Sequence, residues 1–159
     1  MAVIVVRDAR NAPRLDARVV KRRAERMLAE LGEAGAELSV LLTDDERIHE
    51  LNARHRRKDK PTDVLSFPMD AGDGEASRGP KTRLPVRLLG DVVISLPTAA
   101  RQARERRKPL LAEVTDLLAH GMLHLVGYDH RTDAEERSMN LAAEKLTFAA
   151  TRRAHVSKR

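Results

Sequence analysis

Three histidines lie within eleven residues in the stretch HGMLHLVGYDH, which runs from His120 to His130. His120 and His124 are four residues apart, so on a helix their imidazoles lie one turn apart on the same side. Gly127 then ends that helix, and the turn after it can bring His130 to the same point. Three neutral imidazoles would hold one zinc ion and leave a fourth position for water, as in catalytic zinc sites. The spacing therefore predicts a metal centre at the end of a helix.

Gly121, the residue after the first histidine, narrows the chemistry of this metal centre. The pattern H-x-x-x-H-x-x-G-x-x-H also belongs to metzincin proteases, in which a glutamate after the first histidine is the general base. Glycine has no carboxylate, so the ligand pattern is present without the base that cleaves peptides. A metalloprotease is therefore an alternative that Gly121 disfavours. A non-catalytic protein with a structural zinc ion is a second alternative, disfavoured because no fourth protein ligand is evident.

Two basic segments indicate an anionic substrate. Arginines and lysines are concentrated in residues 54–60, just before a predicted strand, and again in residues 101–108. Guanidinium groups bind phosphate bidentately and stabilise charge that develops in a transition state. Aromatic residues make up only 2% of the chain, so nucleic-acid binding would depend on backbone contacts more than on base stacking. The alternative for either segment alone is a solvated surface that serves solubility.

The bulk composition sets limits on fold and partners. A chain of 159 residues is the length of one domain, and its net charge of +6 favours a polyanionic partner such as nucleic acid. It has no cysteine, so a metal must be bound by nitrogen and oxygen ligands. The N-terminal MAVIVVRDAR is too short for a signal peptide or a membrane span. We therefore expect a cytoplasmic protein with no membrane partner.

The histidines and the basic segments must be positioned by strands and helices, whose patterns follow one another along the chain. Strands are predicted at 2–7, in AELSVLLTDD, at 61–68 and at 87–95, where Gly90 marks a bulge or a close approach. Helices are predicted at 15–31, from Asp44 or Asp45 through Leu51, at 97–108, from Pro109 to before Gly127, and at 133–151. On the fourth helix the predicted core stripe is Val114, Leu117, Leu118, Gly121, Met122 and Leu125. Residues 71–86 are expected to form a mobile polar loop.

These elements predict an α+β fold, a single domain in which a small mixed sheet is packed by about five helices. The predicted domain covers residues 1–150. Residues 151–159 are expected to be a disordered basic tail.

Three motifs together resemble one family. HGMLHLVGYDH, LNARHRRKDKPTDVLSFP and LGDVVIS are similar, in content and order, to the signatures of the YbeY family of bacterial ribosomal-RNA maturation endoribonucleases. The resemblance spans roughly residues 38–146, and the histidine motif together with KDKPTDVLSFP is highly specific. LGDVVIS alone would be weak evidence.

The resemblance implies that His120, His124 and His130 are ligands of one Zn²⁺ per chain and that Arg56 is the active-site arginine. It implies a zinc-dependent, single-strand-specific endoribonuclease that acts in 3′ end maturation of small-subunit (16S) rRNA and in ribosome quality control. Its partners would be rRNA and the ribosome or ribosomal proteins, and the structural-zinc alternative becomes a ribosome-assembly factor. The oligomeric state is not implied.

Two departures from the family pattern affect what is carried over. His55 stands where an aromatic residue, usually tyrosine, precedes the arginine, and the chain after Phe148 is basic where the family is more apolar. The first departure affects the part of the site that would contact the substrate. The second leaves the C-terminal tail without an assigned role. The general base stays open between Asp129 and Asp63, and Asp129 could instead orient a ligand histidine. The nucleophile, a water or the 2′-hydroxyl of RNA, stays open as well.

Overall fold

The computed structural model describes residues 3–10, 12–56, 63–68 and 87–152, without the side chains of His55 and Arg56. In these ranges the strands are β1 (Val3–Arg7), β2 (Glu37–Thr43), β3 (Val64–Pro68) and β4 (Leu88–Ser95). The helices are α1 (Ala17–Glu30), α2 (Asp45–Arg56), α3 (Leu96–Arg106), α4 (Leu110–Leu125) and α5 (Asp133–Thr151). The predicted α+β class, with a small sheet and about five helices, is confirmed for the part of the chain described.

The four strands form one mixed sheet in the order β1-β2-β4-β3. The β1–β2 and β2–β4 pairs are parallel, with Val40 of β2 opposite Val92 of β4. β3 is the antiparallel strand, and its Val64 lies opposite Ile94. Parallel strands need a crossover between them, and here α1 connects β1 to β2. The sheet is mixed, as the sequence predicts.

Gly90 is a point of close approach between β4 and β3. The register between β2 and β4 shifts beside it, and Gly90 has φ +141°, a conformation that residues with a Cβ rarely adopt. A Cβ at this position would lie 2.3 Å from the carbonyl oxygen of Phe67. The predicted bulge or close approach at Gly90 is confirmed.

The main core lies between one face of the sheet and helices α1, α4 and α5. α4 runs through this core, and its residues facing the sheet and α5 are buried. All six members of the predicted stripe on α4 are among them. A smaller cluster of Ile48, Leu65 and Val93 packs under α2 on the opposite face of the sheet. α4 is thus fixed on several sides, which makes it a rigid support for a site.

Helix ends differ slightly from the prediction. Pro109 is the residue before α4, in an extended conformation with ψ 151°, whereas the sequence predicts that the helix starts at Pro109. Proline fixes its own φ near −65° but leaves ψ free, so it fits the position before the first turn as well as the first turn itself. α1 begins at Ala17, two residues after the predicted start, because the side chain of Asp16 caps it.

Several predictions lie outside the described residues. These are the loop at 71–86, positions 153–159 of the basic tail and the basic residues Arg57, Lys58 and Lys60. No helix of the described ranges is long and apolar enough to cross a membrane.

Candidate active site

Helix α4 carries its four titratable side chains along one face. Glu113, Asp116, His120 and His124 follow one another at spacings of three or four residues, which keeps them on the same side of the helix. The apolar side chains between them are buried in the core. The packing of α4 therefore fixes the position from which both histidines project.

Backbone carbonyl groups orient both helical histidines. His120 Nδ1 lies 2.9 Å from the carbonyl oxygen of Asp116, and His124 Nδ1 lies 3.1 Å from that of Tyr128. Because a carbonyl oxygen only accepts hydrogen bonds, Nδ1 donates in each case. In the neutral ring this leaves the proton off Nε2, whose lone pair can then bind a metal ion. In metal-binding histidines, the ring nitrogen that does not bind the metal usually donates a hydrogen bond of this kind.

The turn after α4 brings His130 back toward α4. The ring centroids of His124 and His130 are 5.4 Å apart, and the planes meet at 69°. Beyond this turn, α5 begins with a capping box in which Thr132 and Glu135 bond to each other's backbone N–H groups. The cap anchors the segment that carries His130. The structure thus places the rings of His124 and His130 beside each other.

All three histidines line one cleft of about 820 Å³ between α4, β3 and the turn at 127–130. The cleft is also lined by four carboxylates, those of Asp63, Glu113, Asp116 and Asp129. Its remaining lining residues are apolar or uncharged except for Arg106. This is the size and position of a ligand-binding pocket.

The described residues do not form a complete metal-binding group. Among them, no three side chains of histidine, aspartate or glutamate come together closely enough to hold one ion. The orientation of His120 and His124 fits a metal site, and the closure of a three-histidine centre with His130 stays a prediction. α2 ends at Arg56, whose side chain is outside the described part, so its place relative to the cleft also stays a prediction.

Gly121 allows α4 to lie directly on the sheet. A Cβ at this position would be 2.7 Å from Cγ1 of Val92 and 3.2 Å from Oγ of Ser66. The hydroxyl of Ser66 donates a hydrogen bond of 2.9 Å to the carbonyl oxygen of Gly121. A side chain at residue 121 would therefore meet β4 and β3, where a glutamate has no room. Packing requires the glycine here, in addition to any effect on chemistry.

The two carboxylates considered as general base have different surroundings. Asp129 accepts a hydrogen bond of 2.8 Å from the backbone N–H of His130, and its other oxygen lies 2.9 Å from Nε of Arg131. The hydrogen bond from the backbone N–H of His130 lowers the pKa of Asp129. Burial opposes this effect, and the nearby charge of Arg131 adds to the lowering. Asp63 accepts a hydrogen bond of 3.3 Å from Gln102. Asp129 is thus used in holding the His130 turn.

Sequence reasoning missed the charged groups at the other end of the cleft. Glu113 is completely buried, and its Oε2 accepts a hydrogen bond of 2.7 Å from Nη1 of Arg106. Lys108 lies 3.2 Å from Oε1 of Glu113 and also pairs with Asp116. The signal was available: Glu113 and Asp116 precede His120 by seven and four residues, on the same helix face.

The second basic segment is largely engaged in ion pairs. Of the five basic residues at 101–108, Arg101 pairs with Asp45, and Arg106 and Lys108 pair with acids of α4. Arg104 and Arg107 are exposed. The segment is therefore not a uniform surface for phosphate contacts.

Comparison with known proteins identifies relatives over most of the chain. The model of the family described as Endoribonuclease YbeY matches residues 7–150. A protein named Endoribonuclease YbeY from Anaeromyxobacter sp. is 52% identical over 133 residues, which cover 84% of this chain and 64% of that protein. One of the same name from Aquifex aeolicus is 52% identical over 117 residues, 74% of this chain and 71% of that protein. The match thus spans less than two thirds of the Anaeromyxobacter protein.

A solved structure shares the fold. The solution structure of TM1509 from Thermotoga maritima aligns with a TM-score of 0.60 and 22% sequence identity, covering 93% of this chain and 88% of that one. At this identity the likeness supports the fold alone.

Proposed function

The chain belongs to the Endoribonuclease YbeY family, and on this premise we propose that it is a metal-dependent endoribonuclease that cleaves single-stranded RNA. The observation that carries the proposal is the pair His120 and His124, whose Nδ1 atoms are bonded to backbone carbonyls beside a cleft that His130 also lines. A metal-binding histidine almost always donates its other ring N–H to a carboxylate, a backbone carbonyl or a water, and both histidines meet this condition.

The proposed cofactor is one Zn²⁺ per chain, held by His120, His124 and His130. The donor set fits this ion because neutral imidazole nitrogens are common zinc ligands and three of them are typical of catalytic sites. When bound, zinc supplies Lewis acidity toward a phosphoryl oxygen or lowers the pKa of a water. The chain's own contribution is to bond the Nδ1–H groups of His120 and His124 to backbone carbonyls, which leaves the Nε2 lone pair of each neutral ring available to a metal ion.

Arg56 is proposed to neutralise charge on the phosphodiester in the transition state. A guanidinium is suited to this role because it forms bidentate hydrogen bonds with phosphate and stays charged at any physiological pH. Asp129 is proposed to hold the turn that presents His130, through its bond to the backbone N–H of that residue. Asp63, which lines the same cleft and does not hold that turn, is proposed as the general base.

The biological setting is proposed from the same family. The substrate would be the 3′ end of small-subunit (16S) rRNA, with a role in ribosome quality control, and the partners would be the ribosome or ribosomal proteins in the cytoplasm. A metalloprotease is disfavoured because a base at residue 121 would meet Val92 and Ser66. A ribosome-assembly factor with structural zinc predicts metal binding without cleavage, so an activity assay distinguishes it.

The test is cleavage of a labelled single-stranded rRNA precursor by the zinc-loaded protein and three variants. His124→Ala should lose both zinc and cleavage, because two remaining imidazoles bind the ion weakly. Arg56→Ala should keep its zinc and lose on the order of 100-fold or more in rate, since it removes a charge-stabilising donor. Arg57→Ala is the matched control and should change the rate only modestly.

Cleavage by Arg56→Ala at the wild-type rate would contradict the role of this arginine. Absence of RNA cleavage in the wild-type protein, with full zinc occupancy, would favour the assembly factor instead. Digestion of casein by the same preparation would favour the protease.

A further inference from the structure

Arg106 stands out in the cleft because it is the single lysine or arginine among the described lining residues. The other charged groups of the described lining are the carboxylates of Asp63, Glu113, Asp116 and Asp129. An RNA phosphate entering the cleft would be repelled by these acids unless a cation compensates. The side chain of Arg106 is 57% exposed, so its guanidinium is open to a ligand.

A buried carboxylate holds Arg106 in this position. Glu113 has 0% exposure, and a carboxylate removed from water must be compensated by nearby cations. Its two oxygens contact Arg106 at 2.7 Å and Lys108 at 3.2 Å. Lys108 is in turn tied to Asp116, so this ion-pair cluster is anchored on α4 at two points.

The bond to Glu113 uses only part of the guanidinium. Arginine has five N–H donors in a planar fork, and Glu113 accepts from Nη1. The rest of the fork retains the geometry that matches a phosphate. A guanidinium fixed on one side by a carboxylate and exposed on the other is therefore prepared for a second anion, with little entropy left to lose on binding.

The position along α4 indicates which phosphate this is. Glu113 precedes His120 by seven residues, about 10.5 Å along a helix. Successive nucleotides of a stacked strand rise about 3.4 Å each. A phosphate at Arg106 is therefore separated from one at the histidines by at least one nucleotide.

We propose that Arg106 binds a phosphate of the RNA strand other than the one that is cleaved, and that Glu113 is the positioning residue for its guanidinium. This proposal rests on the proposed function, since the ligand is the RNA substrate of the same cleft. The phosphate would bind where the end of α3 meets the start of α4. Cleavage would then depend on the length of the RNA, because only a longer RNA reaches this subsite.

The test measures kcat and KM of the zinc-loaded protein on a single-stranded RNA long enough to fill the cleft and on a dinucleotide, whose one phosphodiester is the scissile one. Arg106→Gln should raise KM for the long RNA on the order of 10-fold, with kcat little changed, and should leave KM for the dinucleotide as it was. The salt dependence of long-RNA binding should become shallower by about 1 in the log–log slope, because one phosphate contact is lost. Arg104→Gln is the matched control: an exposed arginine of the same helix, outside the cleft lining, with an expected change in KM below about 2-fold.

Two further variants separate positioning from folding. Arg106→Lys keeps the charge but lacks the fork, and it should raise KM for the long RNA by less than Arg106→Gln does. Glu113→Gln should also raise KM for the long RNA, but not in the Arg106→Gln background, because Glu113 acts through Arg106. Urea unfolding curves show which variants are folded, and Arg106→Lys keeps the test available if Arg106→Gln is not.

Equal KM values for wild type, Arg106→Gln and Arg104→Gln on the long RNA would overturn the subsite while leaving the proposed function intact. A wild-type protein that neither binds nor cleaves RNA would overturn both. An equal rise in KM for the dinucleotide and the long RNA would show that Arg106 contacts the scissile phosphate instead, and would also overturn the proposal.

Discussion

Replacing Gly121 with alanine tests how closely α4 lies on the sheet. The added Cβ would be 2.7 Å from Cγ1 of Val92, which is completely buried and β-branched, so it has little freedom to move. Overpacking of this kind costs about 1–3 kcal/mol. Alanine in place of glycine inside a helix stabilises by about 0.8–1.0 kcal/mol. We therefore expect Gly121→Ala to lower the free energy of unfolding by up to about 2 kcal/mol.

The steric origin of this loss is isolated by a second substitution. Val92→Ala removes both Val92 methyl groups that the new Cβ would meet and leaves Oγ of Ser66 at 3.2 Å. Gly121→Ala made in that background should therefore stabilise the protein by up to about 1 kcal/mol. The coupling energy between the two substitutions should then be about 1–3 kcal/mol. Val93→Ala is the matched control: the next residue of β4, it faces the other side of the sheet, and its effect should add to that of Gly121→Ala.

Equilibrium urea unfolding of the wild type, the three single variants and the two double variants supplies these free energies. The outcome that would refute the reasoning is a stabilising Gly121→Ala whose effect is additive with Val92→Ala. Helix α4 would then stand further from β4 than the structure has it, and the glycine after the first histidine would need a different explanation.

Three further predictions concern the support of the site. Gly90→Ala should lower the free energy of urea unfolding by at least about 3 kcal/mol, because it combines a strained φ with a backbone clash at Phe67. Gly35→Ala is the control and should be nearly neutral, because no atom of the described residues lies within reach of the added Cβ. Thr132→Ala should cost about 0.5–2 kcal/mol by removing the cap of α5, while Ser138→Ala on the exposed face of that helix should not lower the urea midpoint. Burial raises the pKa of Asp45, but hydrogen bonds from Ser95, Thr98 and Arg101 outweigh this and hold that pKa below its ordinary value of 3.8. The resulting stabilisation is present above pH 3.8 and is lost as the pH falls through the lowered pKa, so the stability gap between wild type and Asp45→Asn should narrow in that range.

Local patterns predicted much of the fold and part of the site. The buried residues of α4 could be predicted because residues on one face of a helix recur every three to four positions. The same spacing places His120 and His124 on one side of the helix. Gly90 could be recognised because glycine inside a strand pattern marks a bulge or a close approach. These signals depend on residues near one another in the chain.

Features that depend on distant residues could not be predicted in this way. Arg101 pairs with Asp45 across 56 positions of sequence, and the contact of Gly121 with Ser66 depends on how α4 crosses the sheet. A run of arginines in a sequence is consistent both with a free basic surface and with ion pairs, and only the fold decides between them. The structure decides for ion pairs at Arg101, Arg106 and Lys108.

The central claim, a zinc-dependent endoribonuclease with one three-histidine site, is tested most directly by titrating metal-free protein with Zn²⁺ while measuring cleavage of a labelled single-stranded rRNA precursor. We expect a rate that rises in proportion to added zinc and stops rising at one equivalent per chain, with no such rise in His124→Ala. Full cleavage before any metal is added, or a rate that stays at zero after one equivalent is bound, would contradict it.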